Sequence, residues 1–204
     1  MTTILHLYSS ARTEGSATRA LTAEIVAQLQ RTDQGTTVVY RDLTKQVLPH
    51  ISPEFLNGLF AGGEHANHAT VKLSDLLIDE VNAADILVIG APMYNFSVPS
   101  QLKAWIDHVL RAGKTFKYSA EGMPIGLVTG KRAIVAIANG GVYTTGPMVA
   151  FDHVEPLMRQ VLGFIGITDV TFIRAEKQAF GVEAASQELE KAKHDIAGNV
   201  AKAA

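Results

Sequence analysis

The chain has 204 residues, enough for one well-buried domain spanning 1–204 and short for two. Apolar residues make up 47% and charged residues 19%, with a net charge of −2, which sets it apart from disordered chains and from basic nucleic-acid binders. It has no cysteine, which excludes disulfides, thiolate chemistry and the usual zinc sites and leaves any redox role to a cofactor.

In chain order, apolar and β-branched runs predict strands at Thr3 to Tyr8, Thr36 to Arg41, Asp85 to Gly90, Arg132 to Ala138 and Thr168 to Ile173. Helical patterns fall between and after them, from about Ser16 to Arg31, Ala69 to Asn82, from Pro99 onward, Asp152 to Leu162, and Glu183 to about Ala201. Pro92 is expected to stop the third strand, and Leu102, Ile106, Val109 and Leu110 share one face of the helix after Pro99. Alternation of this kind argues for an α/β fold with a parallel sheet covered by helices. Five strands suit the flavodoxin-like order 2-1-3-4-5, a three-layer α/β/α sandwich. Two stretches interrupt the alternation: Val47 to His68, with helical sequence around Pro53 to Phe60 and then Gly62-Gly63, and Ala112 to Thr129. No basic segment followed by an apolar run opens the chain, and no apolar run reaches membrane-spanning length. A soluble cytoplasmic protein with no nucleic-acid or membrane partner is therefore expected.

Ligands of such sheets bind beyond the carboxyl ends of the strands, so three loops matter. After the first strand, Ser9 to Arg19 is rich in hydroxyls and opens a helix, a setting that favours an anion. It carries neither G-x-G-x-x-G nor a P-loop; Ser10, Ser16 and Thr18 can donate to phosphate oxygens, and Arg12 or Arg19 could offset the charge. Ser16 equally suits a plain helix cap. After the third strand, Met93-Tyr-Asn-Phe96 puts aromatics at the sheet edge, where they suit a planar ring or the core. After the fourth, Ala138-Asn-Gly-Gly141 allows close backbone approach to a flat ligand, or an ordinary Asn-Gly turn. Hydroxyls, aromatics and glycines converging on one edge suit a mononucleotide with a planar head.

The segments Ala91-Pro-Met-Tyr-Asn-Phe96, Gln101-Leu-Lys103 with Arg111-Ala-Gly113 and Thr115-Phe-Lys-Tyr118, Gly126-Leu-Val-Thr-Gly-Lys131 and Leu162-Gly-Phe-Ile-Gly-Ile167 resemble the FMN-dependent NADH-azoreductases, which are also NAD(P)H:quinone oxidoreductases, over nearly the whole chain. The resemblance implies FMN bound through its phosphate at Ser10, Ser16, Ala17 and Thr18. Met93, Tyr94, Asn95 and Phe96 would line the isoalloxazine, and Ala138, Asn139, Gly140 and Gly141 would meet its pyrimidine edge. It also implies a homodimer with the active site at the interface, substrate-pocket aromatics at Tyr118 and Phe164, and NADH or NADPH as donor to quinones or azo compounds in ping-pong two-electron transfer. Where the family usually has Ser, this chain has Ala138, so a side-chain hydrogen bond is lost while backbone contacts from Asn139, Gly140 and Gly141 could remain. The region from Gly146 to Arg159 is longer than its family counterpart, and Phe164 suits a core position as well as the pocket wall.

No acid–base dyad is required, because the cofactor would carry the reaction. His65 and His68 are read as loop residues, His6 as packed and hydrogen-bonded, His108 as sharing a polar face with Lys103 and Arg111, Trp105 as core, and His153 as a candidate proton donor to substrate. Rival readings are weaker. A phospho-receiver needs acidic residues where this first strand ends in Leu7-Tyr8-Ser9, and an electron carrier would show a strongly acidic docking face. An FAD-using quinone reductase of the same superfamily is the nearer alternative.

Overall fold

The computed structural model describes residues 1–60 and 68–200. Its elements are β1 (Thr3–Tyr8), α1 (Ala17–Thr32), β2 (Thr37–Asp42), α2 (Pro53–Phe60), α3 (Ala69–Ala83), β3 (Ile86–Pro92), α4 (Ser100–Val109), β4 (Phe116–Tyr118), β5 (Pro124–Gly126), β6 (Arg132–Ala138), α5 (Val154–Ile165), β7 (Asp169–Ala175) and α6 (Val182–Val200). A 3₁₀ segment at Gly146–Phe151 leads into α5. The main sheet is parallel throughout, in the order β2-β1-β3-β6-β7, which is the 2-1-3-4-5 arrangement read from the sequence.

Burial explains the layers. All of β3 is buried, as a central strand covered on both faces must be. Alternate residues of the strands feed two cores. Leu5, Leu87 and Val135 pack with Leu77, Leu102 and Leu162 of α3, α4 and α5, while Ile4, Val88 and Ile134 pack with Leu21 and Ile25 of α1 and Ile196 of α6. Trp105 is fully buried, as expected. α1 begins where Ser16 accepts a hydrogen bond from the Arg19 amide at 3.4 Å, and its inward face repeats through Leu21, Ile25 and Leu29.

Several expectations need adjustment. β3 does end at Pro92, in register with Ala138, two residues beyond the Gly90 read as its last residue. The stretch from Ala112 to Thr129 contains the antiparallel hairpin β4–β5, too short for its period-2 pattern to be read. Gly126 at the end of that hairpin lies against Gly166, the left-handed cap of α5 with φ 108°; a Cβ on Gly126 would fall 2.2 Å from the Gly166 nitrogen. Two of the glycine-bearing segments quoted above are thus a single backbone contact, sealed by the Val128 amide donating to the Ile165 carbonyl at 2.8 Å.

His108 is not on a polar face. It is fully buried, edge-on to Phe55 at 5.0 Å between centroids, with Nε2 2.9 Å from the Pro49 carbonyl, because α2 and the segment before it cover that side of α4. His6 is packed between Tyr8 (4.2 Å) and Tyr40 (5.3 Å), but neither ring nitrogen has a partner among the described residues. Burial first, and the Arg19 charge second, push its pKa down to about 4. His68 caps α3, accepting from the Thr70 amide, whereas His65, Gly62 and Gly63 lie outside the described residues, as does Ala201. No helix among the described residues is long and apolar enough to cross a membrane.

Candidate functional site

At the carboxyl edge of the sheet, the loops after β1, β3, β6 and β7 enclose a cleft of about 830 Å³, within the size range of small-ligand sites. Ser10, Ser16, Ala17, Thr18, Met93, Tyr94, Ala138, Asn139 and Gly140 all line it. Asn95, Phe96 and Gly141 border the same loops without lining the cleft itself.

One end carries free donors of the kind that favour an anion. Ser16 uses its oxygens on Arg19 and Ala20, and no hydrogen bond among the described residues uses the first-turn amides of Ala17 and Thr18. The Ser16 and Thr18 hydroxyls stand 3.3 Å apart, and Thr18 and Ser10 are nearly fully buried. The two arginines differ. Arg19 is engaged elsewhere: its guanidinium forks onto Asp42 at 2.8 and 3.0 Å and donates to the Ser10 carbonyl and Thr44. Burial works to raise the Asp42 pKa, but the hydrogen bonds from Arg19 and Thr44 outweigh it and hold the carboxyl at about 2. Arg12 lines the cleft and has no ion pair among the described residues, so it is the cation available to a bound phosphate.

The middle of the cleft is the loop after β3. Met93 is tied to β6 through its amide, which donates to the Ala138 carbonyl at 2.9 Å. Tyr94 and Ser97 exchange backbone hydrogen bonds of 2.8 and 3.1 Å around Asn95 (φ 48°) and Phe96 (φ 71°), a two-residue turn with both central residues left-handed. Such strain in a non-glycine aromatic is a mark of functional loops. The turn aims the Tyr94 hydroxyl back at the first loop, where the Ala11 amide donates to it at 3.2 Å. Phe96 lies beside Phe151 at 5.6 Å and its carbonyl accepts from the His153 amide, so the 3₁₀ segment flanks the cleft mouth.

The far wall includes a loop that sequence reading missed. Gln178, Ala179, Gly181, Val182 and Ala185, between β7 and α6, line the cleft opposite α1. Gln178 and Ala179 donate to the carbonyls of Asn139 and Gly140, both at 3.0 Å, joining this loop to the Gly140-Gly141 turn. Glu176, nearly buried, accepts from the Tyr143 amide (2.6 Å), the Thr144 amide (3.1 Å) and the Thr144 hydroxyl (2.7 Å), pinning the chain beyond that turn. The usable signal was positional: the loop follows a fifth parallel strand, where ligand contacts concentrate. Tyr118 and Phe164 do not line the cleft; both pack on Phe116, with centroids 5.6 and 4.6 Å away, Tyr118 exposed and Phe164 half-buried.

A second cleft of about 600 Å³ lies at the amino edge of the sheet, among Asp33, Asp85, Lys131 and Arg132. Asp33 and Asp85 hold Thr2 and Thr3 there, and Lys131 binds the last carbonyls of α3, so these groups close the ends of elements.

A helix start with free amides and hydroxyls, an aromatic loop and a glycine turn on one cleft are the features of a doubly wound, mononucleotide-binding class of protein, and the donor set fits FMN. A family model described as flavodoxin-like fold matches residues 2–200. An FMN-dependent NADH:quinone oxidoreductase of Ralstonia nicotianae is 48% identical over 203 residues, covering 95% of this chain and 96% of its own. A second of the same description, from Azotobacter vinelandii, is 46% identical over 200 residues, covering 97% and 98%. The crystal structure of an azoreductase from Bacillus anthracis superposes with a TM-score of 0.90 at 30% identity, covering 99% of this chain and 100% of that one. The chain belongs to the FMN-dependent NADH:quinone oxidoreductase family of the flavodoxin-like fold.

Proposed function

We propose that the protein is an FMN-dependent oxidoreductase that takes a hydride from NADH and reduces quinones and azo compounds. The observation that carries the reading is the convergence of free helix-start amides, the Met93–Phe96 loop and the Ala138–Gly141 turn on one cleft. When bound, FMN supplies the two-electron chemistry that side chains alone do not. The chain's own tasks are then definable. Ser10, Ser16, Ala17 and Thr18, with Arg12, hold the phosphate; Met93 and Tyr94 fix the ring; and the Gly140 and Gly141 amides offer fixed dipoles toward its pyrimidine side.

The substrate pocket is read as shared between two copies in a homodimer. Supporting this, the β4–β5 hairpin and its flank expose Tyr118 (59%), Met123 (64%), Ile125 (41%) and Leu127 (39%), and Phe96 and Phe151 lie half-open at the cleft mouth. Tyr118 and Phe164 would then reach the partner's cleft and stack on flat acceptors. Donor and acceptor would occupy that pocket in turn, giving ping-pong kinetics. The FAD-using alternative draws on a groove of about 530 Å³ that continues past the first turn of α1 between Arg19 and Ser186.

Flavin released from the purified protein is expected to be FMN; FAD would favour the alternative. Initial rates with NADH and a benzoquinone are expected to give parallel double-reciprocal lines. Intersecting lines would contradict alternate binding, and absence of turnover would contradict the reading itself.

A further inference from the structure

The chain from Thr144 to Phe151, at the cleft mouth, buries no side chain. Apolar packing does little to fix it, yet ordering it costs conformational entropy. It is held from its two ends by β7 and the residue after that strand. Glu176 holds the first end, accepting from the Tyr143 and Thr144 amides and the Thr144 hydroxyl. Arg174 holds the second: one guanidinium nitrogen, Nη2, donates to Asp152 Oδ2 and to Glu155 Oε2, both at 2.8 Å. The other oxygen of Asp152, Oδ1, accepts from the Val154 and Glu155 amides at 2.9 and 3.3 Å, so one carboxylate ties β7 to the start of α5. The Arg174 and Asp152 side chains are only 11% and 9% exposed, and water screens the pair little. Phe151 is the residue next to this clamp. Its ring lies 5.6 Å from Phe96 at 44°, both rings are half-open, and the His153 amide donates to the Phe96 carbonyl at 3.1 Å.

We propose that Arg174 is a positioning residue for acceptor selection: through Asp152 it fixes the Phe151 ring beside Phe96, and the paired rings hold the apolar part of a flat acceptor that extends past the cleft. Arg174 itself does not line the cleft. The inference rests on the oxidoreductase reading above and divides quinones into two kinds. A one-ring benzoquinone is too short to gain from the mouth. An alkyl-substituted naphthoquinone reaches it and buries apolar surface on the two rings, provided that Phe151 is held in place.

The test is steady-state kinetics of the FMN-loaded protein with NADH and each of the two quinones. Arg174→Met is expected to raise KM for the naphthoquinone roughly fivefold to tenfold, with kcat and the benzoquinone KM within about twofold of the native values. Arg174→Lys should recover most of that KM, because both bonds leave a single nitrogen and an ammonium can meet both carboxylates. Phe151→Ala should raise the same KM, and adding Arg174→Met to it should change little further, since the two substitutions remove one contact. Arg174→Met is also expected to lower the melting temperature, but lost stability alone does not alter the ratio between the two quinones. Should it fold poorly, Asp152→Asn keeps Oδ1 for the start of α5, breaks the link to Arg174 and gives the same readings. An unchanged naphthoquinone KM in Phe151→Ala, fully additive losses, or an equal rise for both quinones, as expected if Phe151 only seals a contact between copies, would overturn the assignment and leave the oxidoreductase reading intact. A native protein that turns over neither quinone would overturn both.

Discussion

The two arginines of the first loop show how much a single side chain's partners decide. By sequence, Arg12 and Arg19 are equal candidates for the phosphate; in the fold, Arg19 is locked onto Asp42 and the Ser10 carbonyl, and Arg12 is left facing the cleft. Arg12→Ala is therefore expected to weaken FMN roughly tenfold while leaving riboflavin, which lacks the phosphate, unaffected. Arg19→Lys, which keeps the charge but loses the fork, should weaken both ligands by loosening the loop, and it should lower the melting temperature. Equal losses of FMN and riboflavin in Arg12→Ala, read by fluorescence titration, would move Arg12 from ligand contact to scaffold. His6 makes a prediction of another kind. Between pH 6.5 and about 4 the unfolded chain carries a proton on this imidazole that the folded chain does not, so stability falls as pH drops through that window and levels off below it. The loss amounts to about 3 kcal/mol over the whole window. His6→Phe keeps a ring against Tyr8 and Tyr40, and urea midpoints at pH 7 and 4.5 should differ less in it than in the native chain; an equal drop would assign the acid sensitivity to other groups.

At the scale of elements, the β5–α5 junction depends on two glycines meeting backbone to backbone. Gly126→Ala places a Cβ 2.2 Å from the Gly166 nitrogen, with no flexible side chain to yield, and is expected to cost about 3 kcal/mol or more and to displace the hairpin carrying Tyr118. Gly122→Ala, at the hairpin tip with open space around it and φ 79°, should cost about 1 kcal/mol. Denaturant unfolding of the pair separates close approach from turn strain, and equal costs would refute the contact. Elements also show what was legible in advance. The five long strands were, because each is an apolar run bounded by Gly, Pro or polar residues, and their order followed from their number and alternation. The hairpin was not, since three residues per strand carry no usable period. Nor was the buried His108, whose cover comes from the irregular segment around Pro49 and Phe55; a helix pattern reports which face is polar only when nothing irregular lies across it. Within the site, the hydroxyl-rich first loop and the Met93–Phe96 loop could be read because hydroxyls and aromatics stand out. The Gln178–Ala185 wall carries no such residue-type signal, only its position after the fifth strand, because Gln178 and Ala179 join it to Asn139 and Gly140 through backbone bonds.

For the whole molecule, the fold places every cleft-lining loop on one edge of a sheet whose central strand is buried from end to end, so the site is held by the most protected part of the structure. Phe96 and Phe151 stand half-open at the cleft mouth, and the β4–β5 hairpin, packed against the C-terminal end of α5, exposes Tyr118, Met123 and Ile125. On this reading the carboxyl edge binds FMN and passes electrons from NADH to a quinone. The most direct test is anaerobic absorption spectroscopy of the FMN-loaded protein, with NADH added first and a benzoquinone second. The flavin band is expected to bleach with one equivalent of NADH and to return with one equivalent of quinone. A protein that takes up no FMN, or whose flavin band is unchanged by NADH, would contradict it.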